Sequence, residues 1–167
     1  MASLPKPPLF VPVVWRPLRG ADVPYVAALE AQIHAAPWTP GNFRDALAAG
    51  YSALAGEREG RVVAYGVLML GPGEAQLLNL SVVPDARRAG LGRMLLERFL
   101  REAVRLGAEH VFLEVRVGNT PAIALYEQAG FVRVARRAAY YPPDAAGWRE
   151  DALVMRRVVG FPEIRGV

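Results

Sequence analysis

The sequence predicts one α/β (α+β) domain, with a mixed and mostly antiparallel central sheet, one parallel strand pair, and helices on both faces. Two β-rich runs, 51–57 and 61–70, are separated only by Arg58-Glu59-Gly60, which makes them an antiparallel hairpin. Two further β-rich runs, 75–83 and 110–116, flank an amphipathic stretch over 92–106, and strands joined through a crossover helix must run parallel. A length of 167 residues carries one complete core and is too short for two comfortable domains.

Residues 1–12 hold Pro5, Pro7, Pro8 and Pro12, which cannot donate to a ladder, and predict a flexible, extended arm ahead of a single domain over 13–158. The run 13–18 alternates weakly and ends at Arg19-Gly20, as a first strand would. Asp22 offers an N-cap with Pro24 close behind. Val23, Val26, Ala27, Leu29 and Ile33 then give a helical pattern as far as His34, ended by Pro37 and Pro40. A second, short helix over 39–49 stops at Gly50. After the hairpin, Gly71-Pro72-Gly73 turns the chain into 75–83. In the helix over 92–106, the rows Leu91, Leu95, Phe99 and Leu96, Leu100 form the stripe of a helix packed on a sheet. In 110–116, Val111, Leu113 and Val115 share one face and Phe112, Glu114 and Arg116 the other. Asn119 or Thr120 caps a short helix through Gln128, with Pro121 in its first turn and Gly130 as its stop. The runs 131–141 and 151–158 read as strands joined by a polar, Pro-rich loop over 142–150. The tail 159–167 has no period.

Composition narrows the function classes. With 53% apolar and 22% charged residues the chain is globular rather than disordered. There is no cysteine, which excludes disulfides, thiolate metal sites and a cysteine-bound acyl intermediate. Apolar runs are broken well short of a bilayer's thickness, and the Pro-rich start lacks the order of a signal peptide, so a cytoplasmic protein with no membrane contact is expected. The net charge of +4 and pI of about 9.8 suit an anionic ligand. The basic residues are scattered, however, so direct nucleic-acid binding is not expected. His34 and His110 show no metal-ligand spacing and read as structural, and no metal is expected.

The most informative stretch is 78–93, LNLSVVPDARRAGLGR. A short strand passes through a turn at Pro84-Asp85 into a glycine-bearing loop that opens directly into a helix. Glycine lets backbone approach a ligand, and the first N–H groups of a helix are unpaired at the positive end of its dipole, so this is an anion cradle into which a pyrophosphate would fit. Neither standard phosphate loop matches, since the chain has no Gly-Lys-Ser/Thr ending and no third glycine. The plainer alternative is a glycine-rich turn before an ordinary helix.

The R-x-x-G-x-G arrangement after a strand ending V-x-P resembles the coenzyme A loop of the GNAT N-acetyltransferases. LNLSVVP, RRAGLGR, LEVRVGNTPAIALYEQAGF, AAYYP and REDALVM together are similar to its bacterial subgroup of ribosomal-protein alanine N-acetyltransferases, the RimI enzymes. The resemblance covers roughly 13–158, with L-E-V-R-x-x-N-x-x-A-I-x-L-Y-x-x-x-G-F its most specific block. It implies the GNAT fold, with the parallel pair splayed around an acetyl-CoA site. It also implies an acyltransferase acting on the N-terminal α-amine of a protein, an alanine of a small-subunit ribosomal protein above all. Without a cysteine, transfer from acetyl-CoA would be direct. A monomer or weak dimer is expected.

Carried over residue by residue, the resemblance places acetyl-CoA contacts on Leu80, Ser81 and Val82, on Arg87, Arg88, Ala89, Gly90, Leu91, Gly92 and Arg93, and on Asn119. It places a general base on Glu114 and a general acid on Tyr126, and it sets Trp38, Tyr140 and Tyr141 in a peptide groove. Each residue also has a plainer reading. Glu114 could pair with Arg116 or a neighbouring arginine, and Tyr126 could be a core aromatic. Asn119 serves equally as an N-cap, the arginines could be solvated, and the groove aromatics could simply pack the end of the sheet. An acceptor lysine or small amine keeps the same chemistry. A non-catalytic acyl-CoA-binding or ribosome-associated module would use only the fold and the charge.

Overall fold

The computed structural model describes residues 11–160. The arm and tail expected at 1–12 and 159–167 therefore lie, save for 11–12 and 159–160, outside the described residues. The strands are β1 (Val14–Pro17), β2 (Ser52–Arg58), β3 (Arg61–Gly71), β4 (Glu74–Val82), β5 (His110–Arg116), β6 (Val132–Arg137) and β7 (Ala152–Val158). The helices are α1 (Val23–Ile33), α2 (Pro40–Ala48), α3 (Leu91–Arg105) and α4 (Thr120–Gln128). One seven-stranded sheet runs in the order β1-β2-β3-β4-β5-β7-β6, antiparallel except for the β4-β5 pair.

The two faces of the sheet carry separate cores. On one, Leu91, Leu95, Leu96, Phe99 and Leu100 of α3 pack with Leu77, Val111, Leu113, Val115 and α4. On the other, Val23, Val26 and Ala27 of α1 and Phe43 and Ala46 of α2 pack on Ala53, Ala55, Tyr65 and Val67. Both stripes follow helical spacing and leave the arginines and glutamates of α3 outside. The sheet and α3 touch most closely at Gly66, where an added Cβ would lie 2.6 Å from the Asn79 carbonyl oxygen and 2.7 Å from Phe99 Cε2. Gly66→Ala is therefore expected to cost about 3 kcal/mol in urea unfolding, because both neighbours are fixed by packing. A loss under about 1 kcal/mol would show that strand and helix separate freely at this point.

Two local expectations are corrected. Asp22 stands at the head of α1 but does not cap it. Its carboxylate instead receives the Arg16 guanidinium at 2.8 and 2.9 Å and the Arg19 N–H at 2.8 Å, and Arg16 also reaches Glu57 of β2. A bidentate arginine is a stronger donor than a helix N–H, and it holds Asp22 below the usual carboxylate pKa. The strand expected to reach 141 stops at Arg137, since the register slips between Arg133 and Ala135 and Ala139 takes a positive φ of 47°.

The feature that positions the site is a β-bulge. Val67 pairs with Asn79 but Leu68 pairs with Leu77, so Leu78 is an extra residue in β4. The parallel ladder from Glu74↔His110 ends at Leu77↔Leu113, at the same place. Beyond it β4 continues to Val82 and β5 to Arg116 without pairing, and a slot opens between them.

Candidate active site

The slot leads into a cleft of about 230 Å³. Leu78, Asn79 and Leu80 of β4 form one wall, and Glu114, Val115 and Arg116 of β5 the other. Asn119 at the N-cap of α4, Tyr126 of α4, and His34, Trp38 and Tyr141 complete the lining. Chain segments far apart in sequence thus bring Glu114, Tyr126, Asn119, Leu80, Trp38 and Tyr141 together.

At the head of α3, Gly90 is the N-cap residue with φ +76°, and no atom lies within 4 Å of where its Cβ would be. The consecutive N–H groups of Arg88 through Arg93 meet no acceptor among the described residues. Such a row of donors at a helix N-terminus is built for a bound anion. Arg87 donates from Nε to the Val82 carbonyl at 3.2 Å, tying the loop back to β4. Arg93 pairs with Glu97 at 3.1 Å on the helix surface. Val82 is half-buried under Gly92, and Ala89 and Leu91 complete the loop.

Glu114 points from β5 away from the α3 core and is held by two neighbours. Arg137 Nε lies 3.3 Å from Oε1. The Tyr140 phenol is raised in pKa first by its hydrogen bond toward Glu114 and then by burial. The pairing partner is therefore an arginine from β6, not Arg116. Arg116 instead binds Glu150 at 3.1 Å and stacks over the Tyr141 ring at 4.0 Å. Burial pushes the Tyr141 phenol up to about 12. Tyr140 does not line the cleft; it is exposed and braces Glu114 from behind.

Tyr126 packs its ring edge-on against Phe131, with centroids 5.8 Å apart, while its hydroxyl has no protein partner among the described residues and faces the cleft. Burial pushes the phenol above its ordinary range, so it stays protonated through neutral and mildly alkaline pH. Asn119 accepts the Ala122 N–H at 3.3 Å, and so caps α4 while also lining the cleft.

The side chain of Ser81 lies outside the slot. Past the bulge the alternation of β4 is reset, and Asn79 and Ser81 turn toward α1. The Ser81 hydroxyl donates to Asn79 Oδ1 at 2.7 Å and contacts His34 Nε2 at 2.7 Å, so only its backbone is left for a ligand. This network centres on Glu30, which is 2% exposed and lines the inner end of the cleft. Its carboxylate accepts the Tyr65 hydroxyl at 2.6 Å, Asn79 Nδ2 at 3.1 Å and the Trp38 N–H at 3.2 Å. Sequence reasoning misses Glu30, although the chain carries a signal for it. Val23, Val26, Ala27 and Glu30 occupy i, i+3, i+4 and i+7, so a carboxylate stands on the apolar stripe. Among the described residues no group of three metal-binding side chains occurs and no helix is long and apolar enough to cross a membrane.

Over residues 23–131 the sequence matches the acetyltransferase (GNAT) family. It is 37% identical over 138 residues to the ribosomal protein bS18-alanine N-acetyltransferase of Escherichia coli (strain K12), spanning 83% of this chain and 92% of that protein. It is 39% identical over 158 residues to the N-alpha-acetyltransferase RimI of Mycobacterium tuberculosis, spanning 90% and 96%. The crystal structure of the ribosomal-protein-S18-alanine N-acetyltransferase from Escherichia coli superposes with a TM-score of 0.85 at 34% identity, covering 93% of this chain and 99% of that one.

Proposed function

We propose that this chain, which belongs to the acetyltransferase (GNAT) family, transfers acetyl from acetyl-CoA directly to the α-amine of a protein N-terminus. An N-terminal alanine of a ribosomal protein is the acceptor suggested by the names of its relatives. The observation that carries this reading is the opening of the β4-β5 slot between the free N–H row at α3 and a cleft faced by both Glu114 and Tyr126.

Acetyl-CoA supplies a thioester whose carbonyl carbon is the electrophile. The N–H groups from Arg88 to Arg93 suit its pyrophosphate, and no Cβ at Gly90 or Gly92 obstructs it. Glu114, oriented by Arg137, accepts a proton from the acceptor nitrogen directly or through a water. Two protons must leave that nitrogen in all, because an α-amine, with a pKa near 8, arrives mostly as ammonium at neutral pH and ends as an amide N–H. Tyr126 donates toward the departing sulfur, a role that its persistent protonation suits. Trp38 and Tyr141 flank the mouth of the cleft, where an extended peptide would enter.

The deciding experiment offers two matched peptides and reads labelling by mass spectrometry. One has a free N-terminal Ala and no lysine; the other is N-blocked with a single lysine. Acetylation of the first alone is expected. Labelling of the second alone would move the acceptor to a side chain, and labelling of neither would remove protein amines as substrates.

A further inference from the structure

We propose that His34 is a further catalytic residue of this reaction, its Nδ1 taking the first proton from the incoming ammonium, with Glu30 as the positioning residue that fixes the imidazole tautomer. The proposal rests on the amine-acetylation reading above.

The argument begins with the direction of the hydrogen bonds. The Glu30 carboxylate can only accept, so Asn79 must present its NH₂ to Oε1, at 3.1 Å. That leaves Asn79 Oδ1 as an acceptor, and the Ser81 hydroxyl spends its one proton there, at 2.7 Å. The Ser81 oxygen, now without a proton to give, must accept from His34 Nε2 at 2.7 Å. His34 is thereby held as the Nε2–H tautomer, and the basic lone pair is on Nδ1. That atom has no protein partner among the described residues, and the side chain is 38% exposed on the wall of the same cleft as Glu114 and Tyr126.

The charges around the ring favour a base that is empty at neutral pH. Burial lowers the His34 pKa below its ordinary value. Glu30, 3.6 Å away on the same helix, opposes this, while Arg87 from the loop after β4 and Arg116 from β5 add to it. Ser81 and Asn79 of β4 are uncharged, and Glu114, Tyr126 and Tyr141 complete the titratable groups of the cleft. When Nδ1 takes a proton, the Glu30 carboxylate stabilises the imidazolium through 3.6 Å of largely dry protein.

Proton counting gives His34 a task that Glu114 alone leaves undone. The nitrogen enters as R–NH₃⁺ and leaves as an amide N–H, so it sheds two protons as the C–N bond forms and the C–S bond breaks. One proton balances the thiol at sulfur and the other ends in solvent. The first must leave before attack, because an ammonium has no lone pair, and the second leaves after it. His34, half-exposed at the mouth, passes the first to water and is reset, while Glu114 remains free for the second.

The test is the pH profile of kcat/KM for wild type and His34→Gln, run on whichever of the two matched peptides the wild type labels. Glutamine keeps an N–H donor near the Nε2 position for Ser81 and removes the base. The expected result is a deficit of about 30-fold at pH 7 that vanishes well above the acceptor amine's pKa, by about pH 9.5 for an α-amine and only above about pH 11 for a lysine, where the amine arrives already deprotonated. A deficit of equal size at every pH means a structural role and overturns the proposal, as does wild-type behaviour throughout. Labelling of neither peptide overturns both this proposal and the reading it rests on. A second readout needs no turnover: ¹⁵N NMR of the two histidines, with His110→Gln for assignment, should show His34 as the Nε2–H form in the wild type. An Nδ1–H form there overturns the proposal. Glu30→Gln, which can donate where the carboxylate only accepted, should mix the two forms, and an unchanged tautomer would remove Glu30 from its positioning role.

Discussion

Tyr126→Phe is expected to lower kcat by about 10²- to 10³-fold while the Kd for acetyl-CoA changes by less than about twofold. The substitution removes one oxygen and keeps the ring that packs against Phe131. Because the hydroxyl bonds to nothing else in the described protein, its loss leaves no orphaned partner, and folding should be untouched. The effect is confined to a step in which charge grows on sulfur, so it belongs in kcat rather than in binding. Steady-state kinetics paired with calorimetric titration of acetyl-CoA checks both halves. A kcat at the wild-type value would make Tyr126 a core aromatic and nothing more. Equal losses in kcat and in acetyl-CoA affinity would assign it to the cofactor's seat instead.

Glu114→Gln should have the larger effect, about 10³-fold in kcat/KM at pH 7. Glutamine keeps the shape and can still accept from Arg137 and Tyr140, so the comparison isolates the carboxylate's charge and basicity. The deficit should persist on both sides of the amine's pKa near 8, because the proton that Glu114 takes leaves the nitrogen after attack. A residual factor should therefore remain at about pH 9.5, where the amine arrives already deprotonated. This residual factor separates Glu114 from His34, whose variant recovers fully. A wild-type rate in Glu114→Gln at pH 7 would reduce the residue to its ion pair with Arg137.

Much of this architecture can be read from the chain because it is set locally. The crossover helix fixes the parallel pair, and period-2 alternation in 110–116 is enough to put Glu114 opposite the Val111, Leu113, Val115 face. The turn at 58–60, the glycine-opened helix at Gly90 and the Asn119 cap follow from residue type alone. What could not be read depends on long-range pairing. Asp22 looks like a cap until Arg16 and Glu57 meet beside it. The direction of the Ser81 side chain is hidden until the register slip at Leu78 turns it toward α1, a slip visible only when β4 is aligned with β3. Arg137 as the partner of Glu114 requires knowing that β6 ends beyond β7, beside β5's far face. Glu30 lies between these cases. Its place on the apolar stripe was legible, but the three donors that make burial tolerable come from Tyr65, Asn79 and Trp38, scattered along the chain.

The slot for the thioester and the polar chain from Glu30 to His34 share one origin. Flattening the bulge at Leu78 into regular strand, with no residue removed, would let β4 zip onto β5 beyond Leu77↔Leu113. In the same stroke it would swing Asn79 and Ser81 to the opposite face, where they could no longer link Glu30 to His34. A sequence change that flattened this one bulge would cost the donor's berth and the acceptor's proton route together. The two should therefore be inherited as a unit, with Asn79 standing both in the wall of one and in the chain of the other.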